Sequence, residues 1–212
     1  MRILKHIYLY RERSRIGDCN TYYLGGKYNI LVDPGNPKFI QSKIEEMERE
    51  GVDIKQVRLV INTHAHPDHS AANNFIVKLS GAKIFVHPLE LRSFEFNKII
   101  ARFLNIEFSD FKSSSETPKE EGIQILHTPG HTAGSISIYL PHSKTIITGD
   151  LIFRGAVGRT DLPGGSSSDL RNSLATISKL KIAYLLPGHG EIVSGEKEVQ
   201  KNFKKVKELV KF

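Results

Sequence analysis

Four apolar, strand-like stretches of this chain end in the same kind of residue. "VRLVIN" runs into "THAHPDH", "IQILHT" into "PGH", "KTIITG" into Asp150 and "IAYLL" into "PGHG". Each delivers side chains of the metal-ligand type just beyond a strand's carboxyl end. In open α/β sheets the loops at those ends gather along one rim, which is where ligands bind. That placement lets His64, His131, Asp150 and His189 converge although they stand far apart in the chain, and it points to an α/β fold.

The remaining segments agree. "RILKHIYLY", "TYYL" and "YNILVD" read as strands parted by glycine and asparagine turns. Ile40, Ile44 and Met47 then mark one face of a helix stopped by Gly51. After "VRLVIN", a second helix carries Ala72, Phe75, Ile76 and Leu79, ends near Gly81 and leads into the strand "KIFVH". An irregular middle is followed by "IQILHT", "SISIYL", "KTIIT", a helix with Leu170, Leu174 and Ile177, the strand "IAYLL" and a tail helix. Each half runs strands, helix, strand, helix. We read one α/β domain over residues 1–212, with two sheets and helices outside them.

Charge and composition exclude more than they assign. The net charge of +7 includes six lysines and three glutamates in residues 196–212, where Val199, Phe203, Val206 and Val210 share one helical face. That pattern is a surface helix with its lysines in water, not a nucleic-acid patch. No apolar run approaches the roughly 18 residues of a membrane span, and the first residues lack the apolar stretch of a secretion signal. The expectation is a cytoplasmic protein with neither nucleic acid nor membrane as partner. Cys19 is the only cysteine, so no intrachain disulfide forms, and it reads as a buried thiol.

The cluster in residues 64–69 has its own logic. Residues i and i+2 of an extended segment point the same way, so His64 and His66 can grip one ion. Pro67 turns the chain into the next helix, which displaces Asp68 and His69 toward a second ion. Imidazole and carboxylate suit zinc first, with iron or manganese as the other candidates; copper and iron–sulfur sites call for thiolates that this set lacks. Asp150, with two oxygens, can bridge two cations roughly 3.5–4 Å apart. His127 ends a strand just before His131 and reads as a residue supporting that ligand.

Taken in order, "THAHPDH", "TPGHTAGS", "TGD" and "PGHG" resemble the metallo-β-lactamase superfamily, and the resemblance spans essentially the whole chain. It implies an αββα sandwich and two divalent metal ions. One would take His64, His66 and His131, the other Asp68, His69 and His189, with Asp150 between them; Asp68 and Asp150 are the carboxylates implied to be catalytic. A bridging carboxylate at Asp150 and the "GRTD" segment that follows it are similar to the glyoxalase II-like hydrolases.

The resemblance implies hydrolysis of a thioester or related acyl bond, with a small acyl or thiol compound as the substrate. Arg159 stands where glyoxalase II has a lysine that contacts its thiol substrate, so it is a candidate substrate anchor; an ion pair with Asp161 is the other reading. Glu191 stands where glyoxalase II has a tyrosine, and the thiol carrier is left open. Two alternatives share the ligand pattern: a persulfide dioxygenase, with one iron(II) on His64, His131 and Asp150, and a lactonase or nuclease of the same superfamily. The segment from Ser93 to Gly122 holds five of the eleven phenylalanines, read mainly as core. A homo-oligomer is compatible with all of these readings.

Overall fold

The computed structural model describes residues 1–114 and 116–211. Ser115, in the polar run after the phenylalanines, and Phe212 lie outside the described residues. The chain divides into two compact units, Met1–Thr117 and Pro118–Phe212.

The first unit is built on six strands that neighbour one another in chain order: β1 (Arg2–Leu4), β2 (Ile7–Tyr10), β3 (Thr21–Leu24), β4 (Ile30–Val32), β5 (Leu59–Ile61) and β6 (Lys83–Phe85). Pairing is antiparallel from β1 to β4 and parallel from β4 to β6. The parallel steps need helical crossovers. The first is α1 (Pro37–Arg49), which starts at an Asn36 cap accepting from the Lys38 amide and buries Ile40, Ile44 and Met47. The second contains α2 (Pro67–Ser70) and α3 (Asn73–Ser80), and α3 stops at Gly81 in the left-handed conformation. Leu31, Val60, Ile76 and Ile84 join the α1 side chains in one core.

Two details depart from the sequence reading. "RILKHIYLY" is not one strand but a hairpin, because His6 adopts a positive φ of 66° and reverses the chain. The irregular middle contains a ten-residue helix, α4 (Phe94–Phe103). Of its phenylalanines and those that follow, Phe111 is buried and Phe94 packs on it at 4.9 Å between ring centroids, whereas Phe103 is 88% exposed.

The second unit holds β7 (Gln124–His127), β8 (Ile136–Leu140), β9 (Thr145–Gly149), β12 (Tyr184–Pro187) and β13 (Val193–Ser194), in the sheet order β13-β12-β9-β8-β7. A small ribbon, β10 (Ile152–Phe153) with β11 (Ala156–Val157), precedes α5 (Ser167–Ile177), and α6 (Glu196–Val210) closes the unit. Leu170, Leu174 and Ile177 of α5 and Val199 and Val206 of α6 are buried with Ile146 and Leu185. At roughly 1.5–3 kcal/mol for each fully buried aliphatic side chain, these residues hold both helices on the sheet. Among the described residues no helix is long and apolar enough to cross a membrane.

Candidate metal centre

In the first unit the ligand candidates leave β5, whose three residues are all buried. Pro67 occupies the first turn of α2, where its missing N–H costs nothing. That turn packs the imidazoles together: the rings of His64 and His66 stand edge-on at 4.7 Å between centroids, and those of His64 and His69 lie 4.1 Å apart. His64, His66 and His69 are buried, and Asp68 is half-buried.

The backbone between the first two histidines is gripped from both sides. Glu90 Oε2 accepts the Ala65 N–H at 2.8 Å, while Asn97 Nδ2 and Ser70 Oγ donate to the Ala65 carbonyl at 2.8 and 3.0 Å. Glu90 and Asn97 are themselves buried. The peptide that separates His64 from His66 is therefore fixed by side chains from two other segments.

Asp33, just beyond β4, orders the imidazoles. Its Oδ1 accepts the Thr63 N–H at 2.8 Å, and its Oδ2 accepts the Thr63 hydroxyl at 2.7 Å and His69 Nδ1 at 3.0 Å. Because the Thr63 hydroxyl proton goes to Asp33, its oxygen accepts from His64 Nδ1 at 3.1 Å. One carboxylate thus assigns the Nδ1 proton of two imidazoles and turns the lone pair of each Nε2 outward as the donor. In the sequence Asp33 is only the last residue of the strand-like stretch "YNILVD", with nothing to mark this role.

A buried ion pair supports Asp33 from behind. Lys43 Nζ, fully buried on α1, donates to Asp18 Oδ1 at 2.8 Å, to the Cys19 carbonyl at 2.8 Å and to Thr21 Oγ1 at 3.1 Å. Thr21 Oγ1 in turn donates to the Asp33 carbonyl at 2.7 Å. Gly35 passes over this pair with φ +87°, and a Cβ there would lie 2.5 Å from Asp18 Oδ1 and 2.8 Å from Lys43 Nζ. Cys19 is buried, and burial pushes its thiol up from the ordinary range.

In the second unit the strand arrangement explains why distant residues meet. β9 and β12 are parallel neighbours with Pro187 opposite Gly149, so Asp150 and His189 emerge side by side. β7 runs in the same sense, two strands away from β9, and its end leads to His131. Asp150 Oδ2 stands 3.6 Å from Nε2 of His131 and 3.6 Å from Nε2 of His189. These gaps are too long for hydrogen bonds. They are close to the roughly 3.4 Å that separates two donors bound tetrahedrally to one ion at about 2.1 Å.

His131 is oriented by a backbone group, its Nδ1 donating to the Arg159 carbonyl at 2.8 Å. A carbonyl only accepts, so Nδ1 carries the proton and Nε2 the lone pair. The Arg159 side chain is exposed and forms a two-pronged ion pair with Asp161, at 2.7 and 2.8 Å. Hydrogen bonding from that guanidinium brings the Asp161 carboxyl down to about 2. His127 is exposed and bonded to the Ala133 carbonyl at 2.9 Å.

The residues fit divalent cations. His64, His69 and His131 each have Nδ1 engaged and Nε2 available as a neutral donor, and Asp68 and Asp150 add hard oxygen donors with no thiolate among them. Such a set suits zinc, iron or manganese.

A family model described as the metallo-beta-lactamase superfamily matches residues 15–189. The probable metallo-hydrolase of Methanocaldococcus jannaschii is 38% identical over 185 residues, covering 82% of this chain and 88% of the relative. Hydroxyacylglutathione hydrolase GloC of Haemophilus influenzae is 29% identical over 201 residues, covering 87% and 91%. Among solved structures, the di-iron-bound form of TTHA1623 is 28% identical, with a TM-score of 0.70 over 89% of this chain and 88% of that one.

Proposed function

Since this chain belongs to the metallo-beta-lactamase superfamily, we propose that it is a binuclear metal-dependent hydrolase that cleaves a thioester or related acyl bond, in the manner of glyoxalase II. In this reading, which follows the family resemblance, one ion would take His64, His66 and His131, the other would take Asp68, His69 and His189, and Asp150 would lie between them. The observation that carries the proposal is the tautomer control: Asp33, Thr63 and the Arg159 carbonyl each occupy an Nδ1, so protein groups alone set three imidazoles as metal donors. The likeness to GloC, whose name is that of a thioester hydrolase, supports the substrate class.

When bound, two divalent cations supply Lewis acidity and a hydroxide at neutral pH. The chain's own part is to hold the donors still and to balance charge. Asp68 and Asp150 offset part of the cations' charge. Asp33 keeps the Nδ1 protons of His64 and His69 in place throughout turnover. A thiolate leaving group, with a pKa near about 8.5, departs without a proton donor, so the reaction does not call for a dedicated general acid.

The test is anaerobic. Zinc-reconstituted protein should carry two ions per chain by elemental analysis and release thiol from small acyl thioesters without oxygen. Activity confined to an iron form, with oxygen uptake in the presence of a persulfide, would refute the hydrolase and leave a dioxygenase, because zinc has no redox chemistry of its own.

A further inference from the structure

Helix α4 has three faces where an ordinary surface helix has two. Asn97 and Ala101 point inward and are buried, with Leu104 half-buried beside them. Glu95, Lys98 and Arg102 line a charged face, on which Lys98 pairs with Glu95 and Asp110. The third face carries Phe96, Ile99, Ile100 and Phe103 at i, i+3, i+4 and i+7. Ile99 is 59% and Phe103 88% exposed, and Phe96 and Ile100 are half-buried. A single apolar stripe toward the core is what a surface helix needs, so this second stripe is left for another partner.

We propose that the Phe96–Phe103 face is the contact through which two copies of this chain associate, with α4 packed antiparallel on α4 about a two-fold axis. The stripe is self-complementary in that arrangement. With the axis between Ile99 and Ile100, Phe96 of one copy meets Phe103 of the other, and Ile99 meets Ile100. The flanking charges agree: Glu95 of one copy comes alongside Arg102 of the second, and the contact occurs twice. An isologous contact of this kind is the commonest route to homodimers.

The area sets the strength. With about 150–250 Å² for each phenylalanine and the isoleucines beside them, the exposed part of the stripe offers roughly 400 Å² per copy. Together with the charged rim, the two copies reach roughly the 1,000 Å² at which specific interfaces begin. A dimer of that size is reversible and on the order of micromolar.

The experiment is sedimentation equilibrium of the full metal-loaded chain from about 1 to 100 μM. The apparent mass should climb from 23.8 kDa toward twice that value, and Phe103→Asp should raise the dissociation constant at least about tenfold. Because Phe103 is exposed, its circular dichroism and thermal midpoint should stay as in the parent. A mixture of Phe96→Cys and Phe103→Cys chains should cross-link to a heterodisulfide in preference to either homodisulfide. A monomer at every concentration, or a dimer indifferent to Phe103→Asp, overturns the proposal. So does a Phe103→Asp chain of parental mass whose KM for acyl thioesters rises, since the face would then serve substrate.

Discussion

Asp33→Asn is nearly isosteric and attacks the ordering of the imidazoles without removing a ligand candidate. The new amide has one oxygen and one NH2 group where the carboxylate had two acceptors. The Thr63 backbone N–H is an obligate donor, so the amide oxygen must stay on it. The NH2 group then faces the Thr63 hydroxyl and His69 Nδ1, which both donate to Asp33 Oδ2 at 2.7 and 3.0 Å. To accept from the NH2, His69 must move its proton from Nδ1 to Nε2, which removes the lone pair a metal needs. The Thr63 hydroxyl must rotate as well, and His64 loses the acceptor that fixed its tautomer. Losing such a partner of a liganding histidine costs about 10–100-fold in metal affinity, and two histidines are involved here. Two hydrogen bonds to a charged acceptor, at roughly 1.5–3 kcal/mol each, are exchanged for neutral ones at roughly 0.5–1.5 kcal/mol each, so the metal-free protein should lose about 2 kcal/mol. Competition with a chromogenic chelator measures the first effect and denaturant unfolding of the metal-free chain the second. Parental zinc affinity in a folded Asp33→Asn chain would refute the tautomer argument, whatever happened to stability.

Two further outcomes follow from the same geometry. Lys43→Met leaves Asp18 as a buried carboxylate without its cation and should cost about 3–5 kcal/mol, on the order of 10 °C in thermal midpoint; a shift within about 2 °C would show that the pair is not structural. Arg159→Ala should let the Asp161 carboxyl rise from about 2 toward the ordinary range, as an NMR titration would show, with metal content unchanged because only the Arg159 backbone carbonyl touches His131. The sign is fixed by the lowered folded value: the pair's contribution is complete above the unfolded carboxyl pKa of about 3.9 and fades as pH falls through about 2. An unmoved Asp161 titration would remove the pair as the cause.

The parts legible in the sequence were those in which periodicity and chemistry coincide. The buried parallel strand β5 reads as a continuous apolar run, and α1, α5 and α6 bury the residues that their spacing selects. Residues 64–69 announce themselves because imidazoles are too costly to crowd without purpose. Helix α4 was hidden because apolar side chains on two of its three faces blur the single-stripe pattern that marks a helix. Asp33 sits in "DPG", where an aspartate is expected for turn chemistry alone. The Arg159 carbonyl that orients His131 was beyond reach on other grounds: a backbone acceptor is present at every position, so no side chain signals its use. The arginine itself drew attention for its guanidinium, which the structure commits to Asp161.

The grip on the Ala65 peptide by Glu90, Asn97 and Ser70 has a consequence for how this protein lives with its metal. In a small zinc-dependent domain the ion organises the chain, and its removal unfolds it. Here the imidazoles in the first unit are oriented by hydrogen bonds whose donors and acceptors all belong to the chain, so folding itself should meet the conformational entropy of ordering them. On that reasoning metal uptake should be an ordinary binding equilibrium on a folded surface rather than a folding event. The expected outcome is a chain that can be emptied and refilled, or can exchange one cation for another, with its far-ultraviolet circular dichroism unchanged.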